Sequence, residues 1–357
     1  MPARLLTPGS IWNSLLNSNK RHLIITGGRG TGKSTLLGKL FPHPLRGITT
    51  YAVPKKAVYL CENGTKNEVT VGIFDGNLPG KENKMRPCKE VFSSFGTELL
   101  ERLAICEDEW ISIDEIGYLE TECPEYCNAI NSLMEQKRVA AVVRKQELPF
   151  LRALCKQDDV FLVDLDDPFG NIACVIMASG MGKRFGGNKL MASFRGEPMI
   201  LRAIEATEGI FKKRVVVTRH SDVAELCRKR SIKCVLHDLP DRNDTVRLGI
   251  EAIGEAESCV FCPGDQPLLR RETVISLALA AKNCRKDIWR VSFEGMPGAP
   301  VLFPEWTFPE LSSLPQGKGG GFIAKKYPEH LRTVSAQDKF ELMDADTQEA
   351  LNFLENQ

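Results

Sequence analysis

Two glycine-rich loops of unrelated design stand roughly 150 residues apart in this chain. The first reads Gly27-Gly28-Arg29-Gly30-Thr31-Gly32-Lys33-Ser34. The second reads Ala178-Ser179-Gly180-Met181-Gly182-Lys183-Arg184-Phe185-Gly186-Gly187-Asn188-Lys189-Leu190. Each follows an apolar, β-branched run, and each is expected to open into a helix. A strand that brings backbone N–H groups and a helix N-terminus to one point makes an anion site. Two such loops require two strand–loop–helix modules, which constrains the fold to α/β with two nucleotide-handling domains. At 357 residues the chain is long enough for each to have its own core.

In the first module, strands are expected at 23–25, 110–114, 139–143 and 160–163, with helices at 34–40, 90–103 and 124–137. Residues 58–61 and 69–74 read as a hairpin around Asn63-Gly64, and polar residues 75–86 as a surface loop. The acidic, Pro/Gly-punctuated run Asp164-Leu165-Asp166-Asp167-Pro168-Phe169-Gly170 is read as the boundary, giving domains 1–168 and 171–357. The second domain opens on an almost wholly apolar strand at 172–177, as a sheet covered on both faces requires. Strands at 214–218, 234–237 and 258–262 follow, with helices at 198–208 and 223–229, and a ligand site is expected at the strands' carboxyl ends.

Composition narrows the function. A net charge of +1 argues against nucleic acid as a partner. No 18-residue apolar run predicts a membrane span, and Met1-Pro2-Ala3-Arg4 does not start a signal peptide. The twelve cysteines are scattered, which fits reduced cytoplasmic thiols better than a disulfide scaffold. Cys259 and Cys262 lie three apart on a strand and so on opposite faces, and Cys123 and Cys127 lack further ligands, so neither pair is read as a metal site.

The first loop satisfies G-x-x-x-x-G-K-[ST] at every fixed position. The amides of Gly27, Gly28, Gly30 and Gly32 would wrap phosphate, with Lys33 neutralising β- and γ-oxygens. Ser34 would ligate Mg²⁺ and Thr35 follow it in the nucleotide site. The apolar run into Asp114-Glu115 would place Asp114 on the Mg²⁺ shell and Glu115 as the carboxylate acting on water. The longer run Asp114-Glu115-Ile116-Gly117-Tyr118-Leu119-Glu120, with Gly47-Ile48-Thr49-Thr50 upstream, resembles the small P-loop nucleoside-triphosphatases with a D-E-I-G signature. That resemblance covers most of 20–165 and implies triphosphate hydrolysis, ATP included, with loose base preference. Glu120 is read either as part of that chemistry or as helix N-terminal charge compensation. A nucleotide-state switch or a short kinase are the other readings of this domain.

The second loop resembles the L-A-[AG]-G-x-S-x-R-[FM]-G-x-x-K-L signature of MobA-like NTP transferases, with Ser179 and Met181-Gly182 as departures. Ala178, Ser179, Gly180 and Gly182 would approach the nucleotide. Arg184 would hold the leaving pyrophosphate and Lys189 the charge at the α-phosphorus. Cys262-Pro263-Gly264-Asp265-Gln266-Pro267-Leu268-Leu269 ends an apolar strand, where Asp265 would bind Mg²⁺. The Gly264-Asp265-Gln266-Pro267 and Arg184–Lys189 spellings resemble the molybdenum cofactor cytidylyltransferase branch, and the likeness spans 172–357. It implies that Asn243 to Gly249, with Asp244, helps recognise base or ribose. It also implies that Gly298-Ala299-Pro300-Val301 and the loop Lys318-Gly319-Gly320-Gly321 border the acceptor pocket. Asp346 in Met343-Asp344-Ala345-Asp346-Thr347 reads equally as a second acidic ligand or as a helix N-cap.

The expectation is therefore a fusion of two doubly wound α/β domains, a P-loop nucleoside-triphosphatase and a Rossmann-like nucleotidyltransferase. The second would use Mg²⁺ to transfer CMP from CTP to a molybdopterin-type acceptor, with a molybdenum hydroxylase or its maturation factors as further partners. The alternatives are another acceptor or base, such as GTP or a sugar or alditol phosphate, and an NTP-gated cofactor assembly factor.

Overall fold

The computed structural model describes residues 2–78, 85–182 and 184–357. It forms two compact units, Asn19–Pro168 and Phe169–Gln357, the latter joined by the N-terminal segment Pro2–Ser18. Assigning residues 1–168 wholly to the first domain therefore needs correction. Helix Pro8–Asn17 buries Ile11 and Leu15 in the second unit, where Ser14 donates to the Ser276 carbonyl at 2.9 Å.

The strands of the first unit are β1 (His22–Gly27), β2 (Gly47–Val53), β3 (Ala57–Glu62), β4 (Glu68–Phe74), β5 (Met85–Pro87), β6 (Trp110–Ile116), β7 (Arg138–Arg144) and β8 (Val160–Asp164). They form one sheet in the order β5-β4-β3-β2-β6-β7-β1-β8. The block β2-β6-β7-β1-β8 is parallel and β3 to β5 extend it antiparallel. The central strands are buried on both faces, which is why β1 and β7 read as continuous apolar runs. The expected hairpin is β3–β4. Of the loop expected over 75–86, Met85 and Arg86 instead pair with β4, and residues 79–84 lie outside those described. The helix expected at 90–103 carries a π-helical turn at Phe92–Gly96, and that at 124–137 is preceded by the short helix Tyr118–Thr121.

The second unit contains β9 (Ile172–Ala178), β10 (Ser193–Phe194), β11 (Glu197–Pro198), β12 (Lys213–Thr218), β13 (Cys234–Leu236), β14 (Ser258–Pro263), β15 (Ile288–Phe293), β16 (Met296–Pro304) and β17 (Leu331–Ser335). Its main sheet runs β13-β12-β9-β14-β16-β15-β17. Strand order reverses between β9 and β14, and a crevice opens at such a switch point beyond the strands' carboxyl ends. The loop after β9 does not open directly into a helix as expected. A short 3-10 turn, Lys189–Met191, leads into the β10–β11 hairpin before helix Ile200–Thr207 begins. Arg195 and Gly196 both take positive φ, 52° and 85°, which suits a two-residue hairpin turn.

Both units are α/β, with mixed but parallel-rich sheets. Among the described residues no helix is long and apolar enough to cross a membrane, and all twelve cysteines are free thiols. Cys259 and Cys262 are both buried in β14.

Candidate functional site

In the first unit, β1 ends at Gly27 and helix Lys33–Leu40 begins the other side of the loop. Lys33 Nζ donates to the carbonyls of Gly27 at 2.9 Å and Gly28 at 2.8 Å. Burial, then the charge of Arg144, holds its ammonium below the ordinary lysine range. Ser34 Oγ donates to Asp114 Oδ1 at 2.8 Å, so the loop serine and the carboxylate at the end of β6 share one point. Burial raises the Asp114 carboxyl despite that bond. A hydroxyl beside a single carboxylate suits Mg²⁺, which takes few protein ligands and completes its shell with phosphate oxygens and water. Thr35 is exposed on the first turn of the helix.

Glu115 sits where the β6–β7 register shifts, at φ +98°. A side-chain-bearing residue held there costs about 1–3 kcal/mol, and such outliers collect at functional positions. Its carboxylate accepts from Arg144 Nε. No sequence motif marks Arg144, and none marks the bond in which the Gly28 amide donates to Asp166 Oδ2 at 3.0 Å. Asp166 also pairs with Lys145, at 3.0 Å, so part of the acidic boundary segment belongs to the first site. Glu120 turns back to accept from the Gly117 amide at 2.7 Å at the start of its helix, and burial pushes its carboxyl up to about 7. Of its two readings, the helix-terminal one describes its contact.

In the second unit a cavity of about 830 Å³ lies beyond the carboxyl ends of β9 and β14. Ser179, Gly180, Gly182, Arg184, Lys189 and Asp265 line it; Lys183 lies outside the described residues. Lys189 is buried, and its Nζ donates to Asp265 Oδ2 at 2.6 Å and Asp346 Oδ1 at 2.7 Å. Burial alone would lower this ammonium, but Asp265 and Asp346 together raise it. Arg184 is 3.6 Å from Asp346 Oδ2, and the bond to Lys189 holds the Asp346 carboxyl low. Asp346 therefore faces the site, while Thr347 caps the last helix through the Ala350 amide. Asp344 also lines the cavity and accepts from Gln266 Nε2 at 3.0 Å, its carboxyl raised by burial and then by Asp265.

Among the described residues no three His, Cys, Asp or Glu side chains gather as a metal cluster. Asp265 and Asp346, converging on one cation, nonetheless match a Mg²⁺ ion carried largely by phosphate oxygens.

Several expected contacts take another form. Ala178 is buried at the end of β9, its carbonyl accepting from Thr218 Oγ1 at 2.8 Å, and does not line the cavity. The Ser179 hydroxyl lies 2.8 Å from His237 Nε2 and bonds the Val217 carbonyl at 3.1 Å, so this departure from the family spelling braces the loop. Gly182 has φ +58°, and a Cβ there would stand 2.5 Å from the Gly187 carbonyl, which accounts for glycine in place of serine. Asp244 also misses the cavity, because its carboxylate caps its own helix at the Asp241 amide and pairs with Arg247. Asn243 instead accepts from the Gly317 amide at 3.0 Å. Lys318 is exposed outside the lining; Arg242, which the motif reading passed over, lines the cavity and lies against Gly319.

Two α/β units each present a glycine-rich loop with cations and carboxylates at the carboxyl edge of the sheet. Residues 22–168 match the NTPase family, and residues 174–332 match the MobA-like NTP transferase domain. The chain is an NTPase domain fused to a MobA-like NTP transferase domain.

A probable molybdenum cofactor guanylyltransferase of Aquifex aeolicus is 28% identical over 29% of this chain and 50% of its own length. A 2-C-methyl-D-erythritol 4-phosphate cytidylyltransferase of Bacillus licheniformis is 30% identical over 32% of this chain and 53% of its own. The chain thus spans about half the length of these two curated relatives. The crystal structure of Rv0371c from Mycobacterium tuberculosis is 18% identical, covering 53% of this chain and 98% of that one, at a TM-score of 0.46.

Proposed function

We propose that the first unit hydrolyses nucleoside triphosphates and that the second transfers CMP from CTP to the phosphate of a molybdopterin-type acceptor, in the cytoplasm. The observation that carries the transferase reading is the buried Lys189 joining Asp265 to Asp346 at the sheet's switch point. An acceptor phosphate oxygen forms a bond to the α-phosphorus, and the bond from that phosphorus to the pyrophosphate oxygen breaks. The phosphate is already ionised near neutral pH, so no general base is required. Lys189 meets the charge that grows on the α-phosphate, and Arg184 meets the departing pyrophosphate. Asp265 and Asp346 would hold Mg²⁺, which when bound supplies charge neutralisation and alignment of the phosphates. In the first unit Lys33 covers the β- and γ-phosphates, Ser34 and Asp114 would hold Mg²⁺, and Glu115 receives the proton of the attacking water.

The choice of CTP rests on the resemblance of Arg184 to Lys189 and Gly264 to Pro267 to the cytidylyl branch. GTP is the second reading, favoured by the guanylyltransferase name of the Aquifex relative. Pyrophosphate release with molybdopterin as acceptor tests both: kcat/KM is expected to be larger with CTP than with GTP. The reverse ratio moves the assignment to guanylyl transfer. No release with either nucleotide, while a sugar or alditol phosphate supports it, removes molybdopterin as the acceptor.

A further inference from the structure

We propose that Arg144 is the catalytic arginine of the first site, supplied by the chain itself, and that the same guanidinium positions Glu115. The proposal rests on the reading of that site as a triphosphatase. β7 lies between β6 and β1 in the sheet. Its last residue, Arg144, is in register with Gly27, the first residue of the phosphate loop, and the preceding Val143 is in register with Ile116 just after Glu115. The backbone thus sets the guanidinium between the loop that grips phosphate and the carboxylate that acts on water.

Space has been left for it. A Cβ on Gly117 would stand 2.7 Å from Arg144 Cδ, so glycine lets the arginine stem pass close over the turn after β6. The side chain is 30% exposed, sheltered yet open to the site. Among the described residues its only hydrogen-bond partner is Glu115, through Nε. A guanidinium has five N–H donors in a fixed fork, so the donors on its two terminal nitrogens remain for another anion. Lys33 and Arg29 are near enough for their charges to be felt together with that of Arg144. Three cations so placed call for an anion of high charge, which a triphosphate supplies.

In the reaction, water oxygen forms a bond to the γ-phosphorus while the bond from that phosphorus to the β,γ-bridging oxygen breaks. The electron pair leaves on the diphosphate, and a water proton passes to Glu115. Negative charge grows on the bridging and γ-oxygens as this happens. An arginine there contributes about 10³–10⁵ in rate. The bond from Arg144 Nε fixes the carboxylate of Glu115, whose backbone stands at φ +98° where the β6–β7 register shifts.

The test uses the full chain, with ATP hydrolysis, fluorescent-nucleotide binding and thermal melting measured on wild type, Lys33→Ala, Arg144→Ala and Arg144→Lys. Arg144→Ala is expected to lose about a thousandfold in kcat while nucleotide affinity changes less than about tenfold. Added guanidinium ion should restore part of the rate in Arg144→Ala and none in Lys33→Ala. A purely structural role would not give that rescue. If Arg144→Ala does not fold, Arg144→Lys decides: an unchanged melting temperature with kcat lost supports the proposal. Wild-type kcat in either variant overturns it, as does loss of rate in Arg144→Ala without guanidinium rescue. Wild type that hydrolyses no triphosphate, or Lys33→Ala at full rate, overturns the triphosphatase reading and with it this proposal.

Discussion

The two sites gather charge in opposite ways. In the first unit one unbroken eight-residue loop carries the glycine amides and Lys33, and Ser34 reaches Asp114 on β6 past the intervening strand β7. In the second unit the central cation is joined to carboxylates 76 and 157 residues further along the chain. A local loop can offer an anion its own backbone amides. A dispersed site needs the whole sheet to bring its charges together, and it buries the lysine that bridges them. The contrast predicts that the first site fails through loss of one loop residue, whereas the second divides its dependence among several segments.

Lys33→Ala should abolish triphosphate hydrolysis, and Glu115→Gln should keep nucleotide binding while losing turnover. Undiminished hydrolysis in Glu115→Gln would remove it as the carboxylate that acts on water. Asp265→Ala should lower nucleotidyl transfer at least about a hundredfold, as loss of a principal electrostatic stabiliser does. Because Asp265 stands past the end of β14, melting should scarcely change. Neither first-site variant should alter pyrophosphate release by the second unit; a parallel loss would break the comparison by showing that the sites act as one.

Smaller losses sharpen the picture of a shared site. Asp346→Asn keeps the side chain's shape but removes one charge from Lys189, and transfer should fall about 10- to 100-fold, on the scale of changes around a bound metal. Activity within twofold of wild type would leave Asp265 as the only carboxylate that matters.

Glu120 offers a pH test confined to the first unit. Burial raises its carboxyl from an ordinary 4.5 to about 7, so the folded chain holds this proton more tightly than the unfolded chain. Its contribution is full below about pH 4.5 and is lost as pH rises through about 7, a span on the order of 3 kcal/mol. Glu120→Gln should flatten the fall in melting temperature of the first unit between pH 5 and pH 8. A fall as steep as wild type would show that Glu120 is ionised throughout. The smallest effect is expected from Ser179→Ala. Its hydroxyl braces the loop against Val217 and His237, so transfer should drop less than about tenfold with the CTP-to-GTP preference unchanged.

Sequence alone determined the α/β class and the first loop, and it singled out Ser34 and Asp114. Each follows from residues adjacent in the chain or from a strand whose apolar run ends in an acid. Lys189 and Asp265 were legible for the same reason, each lying in a compact motif. Tertiary structure decided what depends on facing direction and register. Asp346 could be ligand or cap until its carboxylate was seen on Lys189 and Thr347 at the helix start. The resemblance places Asp244 beside base or ribose, whereas its carboxylate accepts from the Asp241 amide at the start of its own helix. Arg144 carries no motif; only the alignment of β7 with β1 and β6 brings it to Gly27 and Glu115. Helix Pro8–Asn17 likewise joins the second unit through buried Ile11 and Leu15, a choice made by packing between segments over 250 residues apart, which no local pattern encodes.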